Sequence, residues 1–139
     1  MIMNFNNFTL KSQEAIQKAM DIAAGKQNQA IEPAHILKGM LIVDENVIPY
    51  LLKKLNVNLD RLNQVLDRNI EALPKITGGE QYLSHDSSKA LQKASGYAQE
   101  LKDDFVSIEH LLLGILSVNE PTSRLLKEFG VTEKDLKEA

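Results

Sequence analysis

The stretch Ile31-Glu32-Pro33-Ala34-His35-Ile36-Leu37-Lys38-Gly39-Met40-Leu41 returns 75 residues later as Val106-Ser107-Ile108-Glu109-His110-Leu111-Leu112-Leu113-Gly114-Ile115-Leu116. His, Leu, Gly and Leu fall at matching places, with an apolar stripe between them. The register continues upstream: Ala15-Ile16-Gln17-Lys18-Ala19 matches Ala90-Leu91-Gln92-Lys93-Ala94, and Ala23 matches Ala98. Downstream it resumes with one residue dropped, Leu51-Leu52-Lys53-Lys54-Leu55-Asn56-Val57 against Leu125-Leu126-Lys127-Glu128-Phe129-Gly130-Val131. A repeat of this length means one structural unit used twice, and that constrains the fold more than any other feature.

Within each copy the apolar residues recur at helical spacing. Ile16, Ala19, Met20 and Ala23 follow i, i+3, i+4, i+7 behind an N-cap at Thr9, which predicts a helix over 10–24 ended by Gly25. Pro33 suits the first turn of a second helix running to about Val43, because its missing N–H costs nothing there. Asp44-Glu45-Asn46 reads as a turn and cap. A short third helix is expected at 47–55 and a fourth at 59–73, with Leu62, Val65, Leu66, Ile70 and Leu73 on one face. The second copy repeats the plan: a cap at Ser84 or Asp86, then helices at 87–101, 107–118, 122–129 and 133–138. No segment alternates with period two for long enough to read as a strand. The expected architecture is all-α, eight helices as two pseudo-symmetric four-helix repeats in one domain over 1–139. Repeat one covers about 8–73 and repeat two about 83–139. The Pro/Gly-rich stretch Pro74 to Glu80 lies in a linker over 74–82, packed against both halves because each alone has too little core. Gly39 and Gly114 stand mid-helix, where Gly costs ~1 kcal/mol against Ala, so another helix is expected to come close at both.

Several classes of function are disfavoured at once. Apolar content of 43% and charged content of 25% are those of a globular domain. A net charge of −3 with no basic face argues against nucleic acid. The chain lacks cysteine, so disulfide and thiol chemistry are out, which fits a reducing compartment. Met1 to Asn7 shows no basic n-region or apolar h-region of a secretory signal. No run approaches the ~20 apolar residues of a membrane span. A cytoplasmic domain is the expectation.

The chemistry-bearing residues are few. No GxxxxGK[ST] occurs, and Gly78-Gly79 lacks the Lys and helix that a phosphate loop needs. His35, His85 and His110 are the only histidines, and no HExxH or paired i, i+4 arrangement accompanies them, so no metal site is expected. His35 and His110 occupy equivalent positions in a helical first turn. Each is expected to hold the loop before its helix by a hydrogen bond. No Ser is marked as an activated nucleophile. Asp103, Asp104 and Glu109 read either as a solvated face or, beside Phe105 and Val106, as a mixed apolar and acidic rim. Such a rim could hold an extended, basic or unfolded polypeptide.

Three segments together resemble the N-terminal domain of Clp-type AAA+ chaperones. They are Gln29-Ala30-Ile31-Glu32-Pro33-Ala34-His35-Ile36-Leu37, the linker Leu73-Pro74-Lys75-Ile76-Thr77-Gly78-Gly79, and Asp103-Asp104-Phe105-Val106-Ser107-Ile108-Glu109-His110. The Glu-Pro-x-His form and the linker are more similar to the disaggregase (ClpB) branch than to the ClpA and ClpC branches that pair with a protease. The resemblance implies a non-catalytic, substrate-binding accessory domain. It would be tethered to a hexameric unfoldase that draws unfolded or aggregated polypeptides out of aggregates with the DnaK chaperone system in the stress response. ATP would be a cofactor only of ATPase modules outside this chain, and the isolated domain would be a monomer. In the family an apolar groove with a polar rim binds unfolded segments. The polar positions carry over to Thr9, Asp103 and Glu109, and an apolar one to Leu91. His110 stands where some disaggregases have an apolar residue. The ClpC-like branch reads phosphoarginine with an acid just before each His. Glu109-His110 keeps that form and Ala34-His35 does not. The alternative reading is an adaptor- or degron-binding domain of the protease-associated branch. An enzyme or metal protein and an inert helical spacer are further alternatives.

Overall fold

The computed structural model describes residues 5–138. Met1 to Asn4, part of the stretch read as lacking a signal, and Ala139 lie outside them. Among the described residues there are eight helices: α1 (Leu10–Gly25), α2 (Pro33–Val43), α3 (Val47–Lys54), α4 (Leu59–Glu71), α5 (His85–Glu100), α6 (Ile108–Ser117), α7 (Pro121–Glu128) and α8 (Glu133–Glu138). The all-α double repeat is as expected. α5 starts two residues earlier than its periodicity suggests. The Ser84 side chain accepts the Ser87 N–H, so His85 and Asp86 form the first turn.

Each copy is built on a helix pair whose backbones touch. A Cβ added to Gly39 would lie 2.3 Å from the Ala15 carbonyl oxygen, and one added to Gly114 would lie 2.3 Å from that of Ala90. The facing residues are also small: Ala15 and Ala19 in α1, Ala90 and Ala94 in α5, all fully buried. The mid-helix glycines are thus explained by close approach, α2 against α1 and α6 against α5. Around these contacts Ile36, Leu37, Met40, Leu111, Leu112 and Ile115 fill one continuous core with Leu52, Leu62, Leu66 and Leu126.

Helix ends repeat as faithfully as helix faces. At α1, Asn28 N–H bonds to Ala23 C=O at 2.8 Å, and Gln27 takes the left-handed conformation, φ 60°. At α5, Asp103 N–H bonds to Ala98 C=O, also at 2.8 Å, with Lys102 at φ 59°. The same 6→1 closure ends α3 at Asn56 and α7 at Gly130. Gly25, read as the residue past the end of α1, is instead its last helical residue. The reversal falls two residues later, on Gln27. Helices α3 and α7 start on buried carboxylates. Asp44 accepts the N–H groups of Asn46, Val47 and Ile48, and Glu120 those of Thr122 and Ser123.

The two copies are joined by strand pairing that the sequence pattern did not reveal. β1 (Ala30–Ile31) and β2 (Tyr82–Leu83) run parallel, Ala30 opposite Tyr82, and Phe8 forms an isolated parallel bridge with Val106. Two residues are too short for an alternating period to show. The pairings are pseudo-symmetric. Each ties the segment before the first helix of one copy to the segment before the second helix of the other. Thr9 N–H bonds to Val106 C=O at 2.9 Å, and Ser84 N–H to Ile31 C=O at 3.1 Å.

The close approaches generate a stability prediction. Gly39→Ala and Gly114→Ala should each cost ~2 kcal/mol or more, because backbone must move to admit a methyl. Gly96→Ala in α5, where an added Cβ meets nothing within 4 Å, should be neutral or gain up to ~1 kcal/mol. Guanidinium unfolding followed by circular dichroism measures all three; equal effects would refute the close-packing explanation.

Candidate functional site

The loop before α6 begins with Asp103, whose backbone is pinned by the closure at the end of α5. It ends at Ser107, the N-cap of α6. His110, in the first turn, spans the two. Its Nδ1 accepts the Ser107 backbone N–H at 2.9 Å, and its Nε2 lies 2.8 Å from Asp103 Oδ2. A backbone N–H can only donate, so Nδ1 is the acceptor and the neutral ring carries its proton on Nε2, which donates to Asp103. Ser107 Oγ is also 2.9 Å from Nδ1.

The first repeat has the same device with a neutral partner. His35 Nδ1 accepts the Glu32 N–H at 2.9 Å, and Nε2 donates to Asn28 Oδ1 at 2.9 Å. Asn28 in turn donates to the Pro74 carbonyl of the linker. Both rings hold their loops as the sequence suggests. Burial lowers the His35 pKa to about 4, so this ring stays neutral over the ordinary pH range.

Beside Asp103 opens a groove of about 810 Å³ between the repeats. Its base is apolar: Leu51 of α3, Leu113 of α6 and Leu136 of α8. Val47 and Tyr50 of α3 and Leu101 at the end of α5 line it with exposed apolar surface, Tyr50 being 60% exposed. Charges surround it: Glu45, Asp103 and Glu109, with Lys53 and Lys137. Lys137 is already engaged, donating to Glu100 at 2.8 Å and lying 3.0 Å from Glu133. Among the described residues the acids therefore face one uncommitted lysine, Lys53, and the rim is acidic.

The residues singled out in the sequence divide into three groups. Asp103 and Glu109 line the groove. Phe105 is exposed but is not among its lining residues, and Thr9 is the half-buried N-cap of α1 on the Phe8–Val106 bridge, its hydroxyl accepting the Ser12 N–H. Leu91 and Val106 are 1% and 0% exposed. They offer no surface to a partner, because the core and the inter-repeat bridge enclose them. The groove residues that the sequence did not reveal include Glu45, Val47, Tyr50, Leu51 and Lys53 of the first copy and Leu101, Leu113, Leu136 and Lys137 of the second. One signal was available: Tyr50 lies off the stripe Ile48, Leu51, Leu52, an aromatic on the polar side of a short amphipathic helix.

A second cleft, of about 310 Å³, lies between the start of α2, the end of α4 and the start of α7, with Ala34 at the repeat position of Glu109. Glu32, Asp86 and Glu120 border it. Burial raises the Glu120 pKa, against the lowering effect of its bonds from Thr122 and Ser123. Among the described residues no group of acids and histidines is arranged to hold a metal ion, and no helix is long and apolar enough to cross a membrane.

Two half-linked helical repeats with a groove between them define a class. The chain matches the Clp repeat (R) N-terminal domain over residues 7–129 and belongs to that family. Within it, the chain is similar to the N-terminal region of the chaperone protein ClpB. It is 51% identical to that of Bacteroides thetaiotaomicron over 137 residues and 42% identical to that of Porphyromonas gingivalis. Each alignment covers 99% of this chain and 16% of the relative, so the chain spans about one sixth of the length of these relatives. Among solved structures it is similar in fold to the Hsp104 N-terminal domain of Candida albicans, with TM-score 0.83 and 22% identity over 96% of this chain and 88% of that one. The N-terminal domain of the Escherichia coli ClpV1 ATPase matches with TM-score 0.84 and 17% identity, over 96% of this chain and 83% of that one.

Three consequences can be measured. Leu91→Ala should destabilise by about 2–5 kcal/mol, so any binding defect in it tracks the unfolded fraction. Phe105→Ala, exposed, should leave stability within ~0.5 kcal/mol. His35 titrates near 6.5 when unfolded and about 4 when folded, so its contribution is full above pH 6.5 and is lost as pH falls toward 4. Urea unfolding at pH 7 and pH 4.5 should show wild type losing about 2–3 kcal/mol more than His35→Gln. Parallel losses would exclude the neutral-ring linkage.

Proposed function

We propose that the chain is the substrate-engaging domain of an ATP-driven disaggregase chaperone, a non-catalytic module that captures exposed apolar segments of unfolded or aggregated polypeptides. The observation that carries this reading is the groove itself: Val47, Tyr50 and Leu101 leave apolar surface open to solvent beside Leu51, Leu113 and Leu136, under an acidic rim. Soluble domains rarely leave such a surface contiguous unless something binds it. An extended segment would place apolar side chains on the base and direct Lys or Arg toward Glu45, Asp103 and Glu109. Apolar contact supplies most of the affinity, while the acids steer association and disfavour acidic segments. The binding is weak, as a domain that must release its substrate requires. The relatives named as ClpB chaperones support the assignment. By the same reading the parent chain is hexameric, hydrolyses ATP in modules outside this chain, works with the DnaK system and resides in the cytoplasm.

An amide NMR titration with a permanently unfolded protein, repeated with the same protein folded, tests the reading. Shifts should cluster on Val47, Tyr50, Leu101, Asp103, Glu109 and Leu113 with the unfolded form only. Tyr50→Ala should weaken binding about tenfold, ~1.4 kcal/mol. Shifts of equal size with the folded form would reassign the groove to a folded adaptor, and the absence of any would leave a passive spacer.

A further inference from the structure

The histidine devices of the two repeats differ in the partner of Nε2, and that difference falls at the groove. In repeat one both members are internal: His35 is 0% and Asn28 4% exposed, and the Asn28 amide is consumed, accepting from His35 and donating to Pro74. In repeat two the ring remains internal, His110 being 1% exposed, but its partner is a carboxylate whose side chain is half exposed and lines the groove. Among the described residues, that carboxylate has one hydrogen-bond partner, His110 Nε2, at 2.8 Å on Oδ2. A buried ring, itself fixed by the Ser107 N–H, thus grips one oxygen of a surface acid and leaves Oδ1 without a donor. An ungripped Asp at the start of an exposed loop would sample its rotamers, and ordering it would cost part of any bond it made.

We infer that His110 is a positioning residue for substrate selection: it presents the Asp103 carboxylate, already ordered, to a cationic side chain, of the Arg or Lys class, on a polypeptide seated in the groove. The inference rests on the groove being the binding site. It adds that charge selectivity depends on a nearly buried histidine at the groove wall, acting through the carboxylate it holds. Glu109, for which the described structure shows no side-chain partner, is the ungripped acid of the same rim. Glu45 lies on the turn before α3, and Lys53 and Lys137 complete the charged groups facing the groove.

The test uses two fluorescein-labelled peptides of one apolar sequence, one with two arginines and the other with neutral, isosteric citrulline in their place. Anisotropy titrations on the 139-residue chain at low ionic strength should show the arginine peptide preferred by about fivefold, ~1 kcal/mol. Asp103→Asn, which recreates the Asn28–His35 pair, should abolish the preference. His110→Leu should reduce the preference to below twofold and should have no further effect on it in an Asp103→Asn background. If His110→Leu does not fold by circular dichroism, His110→Phe takes its place. A long-range 1H–15N spectrum should show the His110 proton on Nε2. Retained selectivity in His110→Leu with selectivity lost in Asp103→Asn would overturn the positioning role and leave the groove reading standing, as would a proton on Nδ1. Failure of both peptides to bind wild type would overturn the two together.

Discussion

The contact on which the rest of this structure depends is backbone against backbone, Gly39 under the Ala15 carbonyl and Gly114 under that of Ala90. Helices at ordinary separation keep a layer of side chains between them. Here the layer is removed at one point in each copy, with alanines opposite. The close approach brings α2 onto α1 and α6 onto α5. It leaves the large aliphatic residues of α2 and α6 to be buried elsewhere, toward α3, α4, α7 and the other copy. A core shared in this way makes the repeats interdependent, since neither copy covers its own apolar surface.

The connections between the copies follow from that dependence. The two parallel pairings, Ala30–Ile31 with Tyr82–Leu83 and Phe8 with Val106, lie just before the helices that make the close approach. They satisfy backbone groups that would otherwise be buried without partners at the junction. The histidines complete the same junction, each fastening its loop to the helix that follows. The result is rigid lead-in segments on which side chains can be placed, and the loop at Asp103 is one of them.

Symmetry in the scaffold makes asymmetry at the surface informative. Two clefts open on the surface, about 810 and 310 Å³, each beside the first turn of the second helix of a repeat. At the larger, Glu109 stands at the repeat position of Ala34, and Asp103 at that of Asn28, which lies outside the smaller cleft. Exposed Val47 and Tyr50 accompany them. A framework that is duplicated and then differs at its solvent-facing positions has kept its packing and changed its chemistry. The larger cleft is where the change collects.

Much of this was legible in the sequence: the double repeat, eight helices to within two residues, the reason for Gly39 and Gly114, and the loop-holding role of His35 and His110. These depend on local periodicity or on a residue type whose physical properties admit few explanations. What lay beyond it was which surfaces meet. Leu91 and Val106 look like any apolar residue beside a polar loop, and only the enclosing core shows that they have no surface to offer. Tyr50 and Leu101 are distant in the chain from Asp103 and reach it because α3 of one copy faces α6 and α8 of the other. The sequence by itself determined the unit and its duplication, because helices, caps and close contacts are written in short-range spacing. The tertiary structure alone decided the groove, because its walls come from opposite copies and their meeting depends on how two shared cores fit together.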